Sequence, residues 1–166
     1  MSVDFNSAPI FIDPDTGFEL RPLPESDDAA AAIVLADATG EGTAEAAQLR
    51  IDQARAGANN RVIGGWLHDT LVAAYTLERD GMANQIGVIA VAPEYRRQGY
   101  GRLMLTDALR RSGRRPLTAE TDDDSMGFYK TCGFKMVGRR MHPSGVFRYR
   151  MGWHAPRVGH DNTETC

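Results

Sequence analysis

The run Val91-Ala92-Pro93-Glu94-Tyr95-Arg96-Arg97-Gln98-Gly99-Tyr100-Gly101-Arg102-Leu103 holds the residues whose types and spacing most plainly suit chemistry. An apolar stretch ends at Val91, Pro93 stops it, and a helical pattern begins after Gly101. Read physically, this is a strand end, a tight turn and a helix N-terminus. The first N–H groups of a helix have no partners within the helix, and its dipole is positive there, so such a turn suits an anion. Gly99 and Gly101 remove side chains where a phosphate would approach the backbone. Arg96, Arg97 and Arg102 would add charge-assisted contacts, with at least one of them expected to face solvent. The turn alone would also suit a nucleotide phosphate, and its plainest reading is a simple tight turn. Two phosphate motifs are excluded. Met104 stands where a dinucleotide fingerprint needs its third glycine, and no Gly-Lys-Ser/Thr loop occurs.

Other reactive residue types are scattered. Cys132 and Cys166 have no metal-ligand spacing, and neither do His68, His142, His154 and His160. No metal is expected, and the cysteines read as cytosolic thiols.

The elements that must position the turn follow from pattern. Residues 10–12 read as a short edge strand and 18–21 as the first proper strand. Ser26 followed by Asp27 and Asp28 reads as an N-cap with acids in the first turn, opening a helix over 29–36. Thr43 caps a second helix over 44–56, with Ala47, Ile51 and Ala54 on one face. A meander of strands over 61–67, 71–78 and 85–91 follows, with turns at 68–70 and 79–84. The last of these is apolar on both faces apart from Gly87, which marks a central strand. After the glycine turn comes a helix over 101–112, with Arg110 and Arg111 complementing its C-terminal dipole. A strand over 116–120, a helix from Asp122-Asp123-Asp124 to near Cys132, and a hairpin of 134–137 with 146–151 complete the pattern. Gly133 reads as the residue just past that helix.

A chain of 166 residues with 42% hydrophobic and 25% charged residues reads as one ordinary globular domain. It is placed at residues 1–152, with 1–17 as an N-terminal extension and 153–166 as a C-terminal tail. No apolar run suggests a membrane span, and no basic start with an apolar core suggests a signal peptide, so a cytoplasmic location is expected. The net charge of −3 hides an asymmetry: residues 1–95 carry 15 acids and 5 bases, and residues 96–150 carry 13 bases and 5 acids. Solvated faces account for this in the plain reading. In the functional reading, the second half holds an anion and the first half meets a neutral or cationic group. The basic residues lack aromatic interleaving, which argues against nucleic acid.

Two motifs and the order of elements together resemble the GNAT superfamily of acyl-CoA-dependent N-acyltransferases. The glycine signature Arg/Gln-x-x-Gly-x-Gly/Ala is matched by Arg96-Arg97-Gln98-Gly99-Tyr100-Gly101. The motif Phe-Tyr-x-x-x-Gly-Phe is matched by Phe128-Tyr129-Lys130-Thr131-Cys132-Gly133-Phe134. The resemblance is strong from about Gln85 to Val137. It implies an α/β (α+β) fold: a mixed, mostly antiparallel central sheet of six or seven strands, splayed near Val91 and flanked by about four helices. It implies acetyl-CoA as co-substrate, bound by Arg96, Arg97, Gln98, Gly99, Tyr100, Gly101 and Arg102 at its pyrophosphate. The pantetheine arm would pair with the backbone at Ile89, Ala90 and Val91. Ser125 and Phe128 complete the expected contacts, and Asp122 or Asp124 stands where many relatives carry an asparagine that touches the arm.

By the same resemblance Tyr129 is the general acid, its phenol donating to the departing thiolate; the plainer reading is a buried aromatic. The family's glutamate base would fall at Gln85, which cannot accept the amine proton. Glu78 and Glu120 are the candidate bases, with Asp80 or a held water as further substitutes. The expected reaction is direct acetyl transfer to a primary amine, on a small molecule or a peptide, in a ternary complex. Helices between Ser26 and Ala56 would shape the acceptor pocket, and a homodimer fits the fold class. Gln85 also motivates a rival, a non-catalytic acyl-CoA sensor. A nucleotide-binding protein using the same turn is a third reading.

Overall fold

A computed structural model describes residues 10–154, which leaves Cys166, His160 and most of the expected tail outside the described residues. Eight strands form one sheet in the order β1-β2-β3-β4-β5-β6-β8-β7. They are β1 (Phe11–Ile12), β2 (Glu19–Pro22), β3 (Arg61–Leu67), β4 (Thr70–Asp80), β5 (Ala83–Val91), β6 (Leu117–Thr121), β7 (Lys135–Met141) and β8 (Phe147–Trp153). The helices are α1 (Asp28–Leu35), α2 (Ala44–Ala56), α3 (Tyr100–Ser112) and α4 (Asp123–Thr131). The sheet exceeds the expected six or seven strands because even the two-residue β1 pairs with β2. Trp153 closes β8, so the expected tail begins one residue too early.

Alternation along the strands sorts side chains into two cores. Phe18, Leu20, Ile63, Tyr75, Leu77 and Met151 pack with Met104, Leu105 and Ala108 of α3 and Tyr129 of α4. On the opposite face, Val62, Trp66, Ala74 and Val88 pack with Ala31, Ala32 and Leu35 of α1 and Ala47, Ile51 and Ala54 of α2. Thr43 caps α2 as its sequence predicts, its Oγ1 accepting from the Ala46 N–H at 3.1 Å. Ser26 does not cap α1. Pro24 opens a 3-10 turn over Glu25–Asp27, and α1 begins only after it. The acid at Asp28 instead receives Arg55 of α2, whose Nε and Nη2 both donate to its carboxylate.

The turn expected over 79–84 shrinks to Gly81 and Met82, because Arg79 and Asn84 pair across the strands. Asn84 is buried, accepts from Arg79 Nε at 3.0 Å and donates to Ser112 Oγ at 3.1 Å, which holds the strands together to their ends. Of the two basic residues expected at the end of α3, Arg110 lies over the Phe11 ring. Arg111 turns inward, and its Nε joins the Tyr75 hydroxyl in donating to Asp107 Oδ2, at 2.7 and 2.6 Å.

Candidate active site

All strand pairs are antiparallel except β5 with β6. That parallel ladder covers only Asn84↔Leu117, Gln85↔Thr118 and Ile86↔Ala119. Beyond Ile86 the two strands part, while β5 stays paired with β4 up to Val91. The result is a cleft in the middle of the sheet, with one side lined by backbone. A bulge marks its floor: Tyr75↔Ile89 is followed by Leu77↔Ile86, so Gly87 and Val88 together oppose Thr76. Sequence pattern gave no sign of this bulge beyond the glycine itself.

Backbone alternation decides which groups of β5 face the cleft. The Ala92 N–H bonds the Val72 carbonyl, so in an antiparallel ladder Ala90 also turns its groups to β4, and Ile89 and Val91 turn theirs away. Of the three expected backbone contacts, Ala90 is therefore the one not presented. The Val91 carbonyl is itself taken, accepting from Arg96 Nε at 2.8 Å.

Arg96, an expected phosphate contact, binds within the chain, its Nε donating to the Val91 carbonyl. Its Nη2 reaches Asp37 at 3.1 Å, so the side chain ties the α1–α2 connection to the end of β5. Arg97, Gln98 and Arg102 are exposed. Arg97 and Gly99 both take positive φ, +62° and +89°. For Arg97 this is an uncommon backbone state and marks a turn held in shape by its surroundings. The first helical bond of α3 runs from the Leu103 N–H to the Gly99 carbonyl at 3.2 Å. The N–H groups of Tyr100, Gly101 and Arg102 precede it, which makes a cradle for an anion. Tyr100 itself is buried, its ring 4.6 Å from that of Phe18, so only its backbone faces the turn.

The second motif lies against the first. A Cβ at Gly101 would come within 3.2 Å of Phe128 Cζ, so α3 and α4 meet where the glycine leaves room. Tyr129, next to Phe128, is buried, with ring edges against Phe128 and Phe134. Burial pushes its hydroxyl pKa up to about 12, only partly opposed by the charge of Arg148. Among the described residues none hydrogen-bonds that hydroxyl, so at neutral pH it is a protonated donor without a fixed acceptor. Asp122 caps α4, accepting from the Ser125 N–H at 2.9 Å, and Asp124 and the Ser125 side chain are exposed in the first turn.

The three acids separate clearly. Glu120 is held by both Nε and Nη2 of Arg140, at 3.1 and 2.9 Å, and that bonding lowers its pKa. Asp80 is exposed and pairs with Arg150 at 3.3 Å. Glu78 stands directly across the ladder from Gln85. Its carboxylate lies over Gly87, where a Cβ would collide with it. Thr76, which the sequence did not single out, fixes it there. The Thr76 hydroxyl accepts from the Val88 N–H at 3.1 Å and donates to Glu78 Oε2 at 3.2 Å. No cluster of three or more metal-ligating side chains occurs among the described residues, and no helix among them is long and apolar enough to cross a membrane.

A splayed mixed sheet with an anion turn at the end of the parting strand and a buried phenol beside it is the architecture of an acyl-transferring enzyme. The family model of the acetyltransferase (GNAT) domain matches residues 56–136, and over those residues the chain carries an acetyltransferase domain of this kind. Among solved structures, the chain is similar to the ribosomal-protein-S18-alanine N-acetyltransferase of Escherichia coli, with 18% identity over 87% of this chain and 98% of that one and a TM-score of 0.69. It is also similar to an acetyltransferase of Bacillus subtilis solved in complex with CoA, at 18% identity, 84% and 98% coverage and a TM-score of 0.62. A third is the IAA acetyltransferase of Bacillus cereus, at 15% identity, 83% and 99% coverage and a TM-score of 0.64. At these identities the likeness is one of fold. None of the curated proteins matches the chain.

Proposed function

We propose that the protein transfers the acetyl group of acetyl-CoA to a primary amine by direct attack in a ternary complex. The observation that carries this reading is the position of the β5–β6 opening, which has the positive-φ turn of Arg97 and Gly99 at the end of β5 and the Tyr129 helix at the end of β6. The turn and the N–H groups of Tyr100, Gly101 and Arg102 would hold the pyrophosphate. The free backbone of Ile89 and the Val91 N–H would pair with the pantetheine amides. Glu78 takes the proton from the acceptor ammonium, directly or through one water. The neutral amine then bonds to the acetyl carbon, the carbon–sulfur bond breaks, the Tyr129 hydroxyl gives its proton to the departing sulfur, and the proton shed by the new amide nitrogen restores the phenol. Position supports Glu78: it faces Gln85 across the ladder, and the Thr76 hydroxyl orients it. That supports the enzyme over the non-catalytic sensor. The B. subtilis structure with CoA supports the co-substrate.

Titration calorimetry with acetyl-CoA and with ATP, followed by CoA release with a panel of amines, tests the proposal. Binding of acetyl-CoA but not ATP, with amine-dependent release of CoA, is expected. Failure to bind any acyl-CoA overturns it.

A further inference from the structure

The face of the sheet that carries Glu78 also carries three arginines, two of which have an acid as partner. Side chains on the α1/α2 face include Glu78, Gln85, Thr118 and Glu120, as their cross-strand partners require. Glu120 pairs with Arg150 across β8, and strand alternation puts Arg148 on that face as well, since Tyr149 and Met151 pack into the opposite core. Arg140 of β7 stands directly opposite Arg148. Like charges so placed destabilise a sheet unless an anion lies between them. Arg140 has its anion in Glu120, and Arg150 has Asp80. Arg148, half-buried, has neither a hydrogen bond nor a salt bridge among the described residues. It also lies past the end of β6, whose last pair is Thr121↔Tyr149, so no strand separates it from the open end of the cleft.

We infer that Arg148 receives a carboxylate of the acceptor, so that the acceptor is a free amino acid or similar small amino-carboxylate, with its amine toward Glu78. This rests on the acetyl-transfer reading. An unpaired guanidinium on the acceptor face beside the reacting groups repels a polyamine and offers a fork to a carboxylate. Its charge is felt at the Tyr129 hydroxyl and at Glu120, in keeping with a place next to the chemistry. Glu78 and Arg148 then match the two ends of a zwitterion.

The test measures CoA release from acetyl-CoA with the twenty free amino acids and with the corresponding amines that lack the carboxylate. At least one amino acid is expected to exceed its decarboxylated counterpart in kcat/KM by about 10- to 100-fold, the scale of one charge-assisted contact. Arg148→Ala should collapse that ratio through KM, and Arg148→Lys should restore part of it, with acetyl-CoA binding retained as evidence of folding. Preference for the amines without a carboxylate, or a ratio unmoved in Arg148→Ala, overturns the inference and leaves acetyl transfer standing. No release with any amine, despite acetyl-CoA binding, overturns the transferase reading and this inference with it.

Discussion

Tyr129 is a core residue that the proposed chemistry also makes a reagent. Its ring fills the space between Phe128 and Phe134, and its hydroxyl keeps its proton because burial pushes its pKa up to about 12. Tyr129→Phe keeps the ring and removes the donor. Its kcat should fall by about 100-fold or more, with acetyl-CoA affinity little changed, as CoA release and calorimetry would show. The same shift affects stability. The folded state favours the neutral phenol, so its contribution is complete below the ordinary tyrosine value near pH 10 and is lost as pH rises toward 12. Two units correspond to roughly 3 kcal/mol. Urea unfolding of wild type and Tyr129→Phe at neutral and strongly alkaline pH should show a shallower alkaline loss in the variant. Tyr75, also shifted upward by burial, leaves part of the slope in place. Glu78→Gln should lower kcat by about 100-fold or more at neutral pH with the fold intact, measured by CoA release against thermal melting. Unchanged turnover would return the base assignment to water or to another acid.

At the level of elements, the junction of β5 with α3 was the most legible part of the sequence, since a proline stop, two glycines and a helical period all fall within one short run. Gly99 tests it. Its φ of +89° suits glycine, and a Cβ there would meet nothing within 4 Å, so Gly99→Ala costs backbone strain alone, about 1–2 kcal/mol. The variant should melt lower and bind acetyl-CoA more weakly by calorimetry; an unchanged dissociation constant would remove the turn from the site. The strands and helices were legible because period-two and period-3.6 patterns are local. The contacts of Arg96 within the chain and the start of α1 were not. Arg96 meets Val91 and Asp37, and Pro24 delays the start of α1, and both outcomes depend on geometry that spacing alone does not carry. Nor was Thr76 legible. A threonine in an apolar strand looks like filler until a bulge on the neighbouring strand turns an amide toward it.

Across the whole molecule, the division of charge by sequence half is not a division in space. The basic second half supplies the glycine turn, yet it also sends Arg140, Arg148 and Arg150 to the face that carries Glu78 and Asp80. The sheet itself is two leaves, β1 to β5 and β6 to β8, joined by three parallel residue pairs. That join has a consequence for solvent exchange. The amides of Ile89 and Val91 face the cleft and carry no ladder bond, although they belong to a central strand of the sheet, while Ala90 between them is locked to β4. Hydrogen–deuterium exchange on the free protein should therefore alternate residue by residue along one buried strand. Saturating acetyl-CoA should slow Ile89 and Val91 and leave Ala90 as it was. A uniform response along 89–91 would mean that the cleft closes as a body and that its backbone does not act as a template.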